Sequence, residues 1–175
     1  MDRIKKIAML VADCFEESEL TVPQKVLAEN AIEVVIIAAE NKKLQSMKGT
    51  DKGKNFTADL LVQDAASKDY DALVLPGGIF NANDLRLNEK AQSWAVDFLD
   101  SERPVAASGY ASLLLVSADL VEEKQLTSPP EIQDDIKNAG GEWTNRPVVV
   151  DGKLITSRSS EDSEAFCKTL LSLLV

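Results

Sequence analysis

Histidine is absent from all 175 residues. That removes the commonest general base at neutral pH and the commonest metal ligand. Neither a Ser-His-Asp nor a Cys-His-Asp relay can be assembled within the chain. Cysteine is scarce: Cys14 and Cys167 stand near opposite ends of the sequence. Such a pair gives no disulfide framework and no zinc ligand set, so neither a metal nor a cofactor is expected. Positive charge is in deficit, with 19 Lys and Arg against 29 Asp and Glu and a net charge of −10. A surface of this sign repels phosphate backbones and anionic lipid, so no nucleic acid and no membrane partner is expected. Long apolar runs are missing too; none approaches the ~18 residues of a membrane span. The start, Met1-Asp2-Arg3-Ile4-Lys5-Lys6, leads into an apolar stretch without the h-region and cleavage site of a secretory signal. A cytoplasmic protein with reduced thiols is the expectation.

What is present is an ordinary globular composition, 45% hydrophobic and 27% charged, enough for one domain over residues 1–175 with a substantial core. Apolar strands alternate with helical spacings. Ile7–Val11, Val34–Ala39, Asp71–Leu75 and Val105–Ala107 read as buried strands. Glu16–Asn30 has helical spacing, with Leu20, Val22, Val26 and Leu27 apolar and Pro23 near the start. The segment 42–63 is polar and fits a small hairpin excursion. Asn88 is placed to cap a helix through Asp100. Residues 130–139 read as a helix stopped by Gly140-Gly141, and Val148–Val150 pairs with Leu154–Thr156 across an Asp-Gly turn. Ser160–Val175 reads as a final helix with Ala165, Phe166, Leu170, Leu171 and Leu174 on its apolar side. Fully apolar strands alternating with helices predict an α/β three-layer sandwich: a mainly parallel sheet with helices on both faces, flavodoxin-like. In such folds sites form at the carboxyl ends of the strands. Three segments arrive there: Asp13–Glu19, Pro76–Asn83 and Ser108–Ser112.

The third of these has the shape of a nucleophile elbow. The strand of Pro104-Val105-Ala106-Ala107 runs through Ser108-Gly109-Tyr110-Ala111-Ser112 into the apolar Leu113-Leu114-Leu115. A reactive residue on such a tight strand-to-helix turn is exposed above the sheet. The apex here is Gly109, which carries no side chain.

At these segments the chain resembles the PfpI/ThiJ family, whose fold is that of class I glutamine amidotransferases. The residues that carry the resemblance are Phe15-Glu16-Glu17-Ser18-Glu19-Leu20, Tyr70 through Gly78, Leu85-Arg86, Pro104 through Ala107, Leu126-Thr127-Ser128, Ile132 through Trp143, Val149 through Gly152 and Thr156-Ser157-Arg158. The resemblance covers essentially the whole chain. It implies Ile-Cys-His-Gly-Pro at the elbow, which falls on Ser108, Gly109, Tyr110, Ala111 and Ser112. The nucleophile position is then Gly109 and the histidine position Tyr110, with the family's acid near Asn83, one residue from Asp84. A tyrosine of the family falls on Pro129. The glutamate that hydrogen-bonds the family's thiol falls on Glu19, with Glu16 the second choice. The resemblance implies that backbone N–H groups near Gly78 and at the residue after the elbow hold an oxyanion, and it places the glycine pair Gly77-Gly78 in the cleft. The resemblance further implies a homo-oligomer, at least a dimer, and stress-related roles.

Two functions from different classes follow. One is a family member without cysteine-dependent catalysis, a binding or regulatory protein that uses the former cleft for a small molecule. The other is a hydrolase or glyoxalase-like enzyme on small carbonyl compounds or peptides, working through Cys14 or another non-standard nucleophile; the resemblance itself implies cysteine peptidase, glyoxalase or deglycase-type activity. Cys14 sits on the correct sheet edge, but acidic neighbours should raise its pKa. Ser108 lacks an evident base in its own motif, and Tyr110 either fills space or donates a hydrogen bond. Cys167 reads as structural.

Overall fold

The computed structural model describes residue 3 and residues 5–175; the reading of the extreme N-terminus rests partly on Met1, Asp2 and Ile4, which lie outside the described residues. In chain order the elements are β1 (Lys6–Val11), β2 (Phe15–Glu16), α1 (Glu17–Glu29), β3 (Glu33–Ala38), β4 (Lys43–Lys48), β5 (Asp51–Thr57), β6 (Leu60–Leu61), β7 (Ala72–Leu75), α2 (Ile79–Arg86), α3 (Glu89–Asp100), β8 (Val105–Ser108), α4 (Ser112–Ser117), β9 (Gln125–Leu126), α5 (Gln133–Asn138), β10 (Glu142–Trp143), β11 (Val148–Asp151), β12 (Leu154–Ser157) and α6 (Ser163–Leu174). A seven-stranded sheet runs in the order β11-β12-β8-β7-β1-β3-β6. All its pairings are parallel except β11 with β12.

Period-two alternation sorts each buried strand between two cores. Ala8 and Leu10 of β1 join Leu73 and Leu75 of β7 on one face, covered by Trp94 and Phe98 of α3 and Ile136 of α5. Ile7, Met9 and Val11 join Ala72 and Val74 on the other, under Leu20 and Leu27 of α1 and Phe166, Leu170 and Leu174 of α6. Both faces are dry because helices cover both, which is why these strands read as continuous apolar runs. The β4–β5 hairpin forms a three-stranded sheet with β2, and its Phe56 stacks edge-on against Phe15 at 5.3 Å.

Several sequence expectations change. Residues 79–86 form α2, which the spacing Ile-Phe-Asn-Ala-Asn-Asp hides because it carries no apolar period. Pro23 lies in the interior of α1, not its first turn; lacking an N–H, it leaves the Glu19 carbonyl without its helical donor. Val22 is exposed at 36% and Ala165 is exposed, because each sits on the solvent side of its helix. β9 and β10 pair in parallel as a separate two-stranded sheet outside the main one. Among the described residues no helix is long and apolar enough to cross a membrane.

Candidate active site

β1 borders β3 on one side and β7 on the other, so the chain winds in opposite directions from this pair. The crevice beyond their carboxyl ends is where open α/β sheets place ligands. Asn81, fully buried on α2, clamps the two strand ends. Its Oδ1 accepts from the Ala12 N–H at 2.7 Å and its Nδ2 donates to the Pro76 carbonyl at 2.8 Å. The Glu16 N–H donates to the Gly77 carbonyl at 2.9 Å and closes the same seam. Asn81 escapes sequence reading because one asparagine in a polar stretch gives no periodic signal.

Gly78 precedes α2 at φ +105. A Cβ there would lie 2.8 Å from both the Cys14 carbonyl oxygen and the Glu16 nitrogen, so only glycine lets the β2 backbone approach. The elbow comes against this seam from β8. Gly109 holds φ +57, the left-handed bend that exposes an elbow apex. A Cβ built on it would meet Glu19 Oε1 at 2.8 Å. Glu19 therefore faces Gly109, as the family resemblance implies, and its carboxyl crowds the place where a side chain would begin.

Glu19 is 5% exposed. The Ser108 hydroxyl donates to its Oε1, the Gly77 N–H donates to the same carboxyl, and Ser157 Oγ donates to Ser108 Oγ at 3.3 Å. Burial pushes the Glu19 pKa up to about 7; the Ser108 bond opposes this, the charge of Glu16 adds to it, and the Gly77 bond opposes it again. Ser108 has no base within its own motif; its carboxyl partner comes from α1, 89 positions away, a separation no local motif displays.

Two cavities meet at Glu19 and Tyr110. The larger, about 600 Å³, also touches Cys14, Met47, Ile79 and Phe80. The other, about 410 Å³, reaches Gly109, Pro129, Asn145 and Arg158. Tyr110 is half-buried and borders both without sealing the space above Gly109. Its hydroxyl pKa is raised, chiefly by burial and then by Glu131 and Glu19, so it stays a neutral donor at physiological pH. Arg158 forms a two-point ion pair with Asp162, Nε to Oδ2 and Nη2 to Oδ1 at 3.0 Å each, and its Nη1 donates to Asn145 Oδ1 at 3.1 Å.

The remaining candidates are dispersed. Cys14 is partly exposed in the larger cavity, at φ +60. Burial raises its pKa first, then Asp13 and Asp84, against the pull of Lys52. Its thiol is held protonated, the reverse of what a nucleophile needs. Glu16 points to the Gly49 N–H at 3.1 Å rather than at the elbow. Asn83 is exposed, and Asp84 borders a separate cavity of about 240 Å³ with Asp13 and Glu40; neither lines the Glu19 cleft. Cys167 is buried in α6, its pKa pushed up to about 11 by that burial.

With this geometry in hand, comparison with known proteins is consistent across sequence and structure. The DJ-1/PfpI family profile matches residues 5–173. Protein/nucleic acid deglycase 2 of Escherichia coli is 37% identical over 171 residues, covering 97% of this chain and 98% of that protein. General stress protein 18 of Bacillus subtilis is 34% identical over 171 residues, covering 97% and 98%. A crystal structure of an Anabaena variabilis two-domain protein, with DJ-1/ThiJ/PfpI-like and ferritin-like domains, superposes with a TM-score of 0.90 at 31% identity. It covers 97% of this chain and 48% of that one, so the present chain spans about half of that protein. Coverage this complete, on the same fold, leads to one conclusion: the chain belongs to the DJ-1/PfpI family.

Proposed function

We propose that the chain acts on small carbonyl compounds in the cleft between β1 and β7, with Glu19 as the proton-transfer group. The observation that carries this reading is the Glu19 carboxyl: almost buried, borne on α1, bordering both cavities, and with a pKa of about 7. A group with that pKa is substantially populated in both protonation states at neutral pH, the condition that favours general acid–base work. The carboxylate takes a proton from a hydroxyl-bearing carbon next to a carbonyl, as in the hydrated aldehyde of methylglyoxal. The C–H electron pair forms the carbon–carbon double bond of an enediol, and the carbonyl oxygen gains charge beside the Tyr110 hydroxyl and takes up the proton that the other oxygen gives up. Returning the proton from Glu19 to the former carbonyl carbon, as the neighbouring carbon–oxygen bond becomes the new carbonyl, completes an isomerisation of the hydrate that needs no other reactant. The Ser108 and Gly77 donors hold the carboxyl in place. Similarity to a protein named a deglycase supports a carbonyl adduct as substrate.

A second reading, binding without turnover, is favoured by Gly109: thiolate attack from the elbow apex is closed to a residue with no side chain. A stress-related regulatory role belongs with it, supported by the name of the Bacillus relative. Incubation with methylglyoxal, and separately with its lysine adducts, separates the readings. Turnover that Glu19→Gln lowers at least ~100-fold, and that Cys14→Ser leaves intact, supports proton transfer by Glu19. No turnover by the unaltered protein supports binding alone, and loss in Cys14→Ser supports a relocated thiol. We also propose self-association and a cytoplasmic location; family membership supports the first and the free thiols of Cys14 and Cys167 the second. Sedimentation at micromolar concentration should give a mass above that of one chain.

A further inference from the structure

We infer that Ile79 and Phe80 select the substrate: the cleft favours carbonyl compounds carrying an uncharged aromatic or branched apolar substituent over those carrying an anionic one. This deepens the reading of the cleft as a carbonyl site and rests on it. α2 begins at Ile79 directly after the Gly78 bend. Its first two side chains leave much apolar surface in water, Ile79 at 46% and Phe80 at 64% exposed. Both border the 600 Å³ cavity together with Met47. An apolar substituent seated there removes that surface from water along with its own.

Charge argues in the same direction. The ionisable side chains lining this cavity are Glu16, Glu19, Cys14 and Tyr110; neither lysine nor arginine is among its lining residues. A carboxylate or phosphate entering it would lose hydration for hydroxyl partners alone (Thr50, Tyr110, Ser159 and Ser160), with no cation among the lining residues, and would face Glu16. Size agrees as well, since about 600 Å³ falls within the roughly 300–1,000 Å³ of ligand pockets that enclose ring-sized molecules. The carbonyl end lies toward Glu19 and Tyr110, which line the same space.

The test uses three unreactive ketones in NMR titrations of the full chain. Acetophenone has the ring and no charge, acetone lacks the ring, and benzoylformate has the ring and a carboxylate. Acetophenone should bind at least about tenfold tighter than either of the others, and the double variant Ile79→Ser/Phe80→Ser should bring its affinity down to that of acetone. Both positions are exposed, so the variant should retain its fold, which circular dichroism checks. Equal affinities, undetectable acetophenone binding at millimolar concentration, or an unchanged affinity in the double variant would overturn the inference. A double variant that changes the sedimenting mass but not acetophenone binding makes the pair a subunit contact and also overturns it. The outcome is separable from that of the catalytic reading. An acetophenone preference in protein that turns nothing over sinks the proton-transfer role alone. Turnover with no preference among the three sinks the selection role alone.

Discussion

At the scale of single residues, Glu19 and Gly109 govern what the cleft can do. The Glu19 pKa moves from an ordinary carboxyl value of 4.5 to about 7 on folding. Between those values the folded chain holds a proton that the unfolded chain has released. The associated stability is therefore complete below pH 4.5 and is lost as pH rises through about 7, an effect of up to about 3 kcal/mol. Urea midpoints of Glu19→Gln should be nearly flat from pH 5 to 8 where the parent declines, with the variant the more stable at pH 8. If Glu19 is the base, turnover rises over the same interval. Gly109 has the opposite sensitivity. Alanine there meets both the left-handed φ of +57 and a 2.8 Å contact with Glu19 Oε1, and should cost about 1–2 kcal/mol or more. Gly109→Cys should carry the same strain, yet alkylate faster than Cys14, since it places a thiol at an elbow apex. The sequence made the Glu19–Gly109 opposition legible only through family resemblance. The Ser108–Glu19 bond was not legible, because its partners stand 89 positions apart in the chain.

At the scale of elements, legibility followed periodicity. β1, β3, β7 and β8 were readable because burial on both faces leaves a run with no polar interruption. α3 was readable from its cap: the Asn88 side chain accepts from the Ala91 N–H at 2.9 Å. Asn88→Ala should lower stability by about 1 kcal/mol, measured as a shift in the urea midpoint at unchanged slope. α2 was not readable. It lacks an apolar stripe and is fixed instead by the Gly78 bend and by Asn81, whose side chain ties it to β1 and β7. Asn81→Ala orphans the buried Ala12 N–H and should cost about 1–3 kcal/mol. It should also weaken ligand binding, since the same clamp sets the width of the crevice. β9 and β10, two residues each, were too short to show a period.

At the scale of the whole molecule, the two thiols report different openings. Cys167 is 3% exposed beneath the α6 face, whereas Cys14 borders the cleft. Under native conditions a thiol reagent should modify Cys14 slowly, its pKa being raised, and reach Cys167 only at the rate of global unfolding. Mass spectrometry in increasing urea should show Cys167 labelling track the unfolding transition. Equal labelling of both in the native state would mean that α6 opens independently of the core.

One wall of the cleft has two sides. Because Glu19 and Tyr110 border both hollows, a guest in one that shifted the proton affinity of Glu19 would change what a guest in the other meets. Occupancy of the Arg158 side and occupancy of the Phe80 side would then be thermodynamically linked, by equal factors in each direction. The medium of that exchange is a single proton, so the strength of the cross-talk should peak near neutrality and fade in acid.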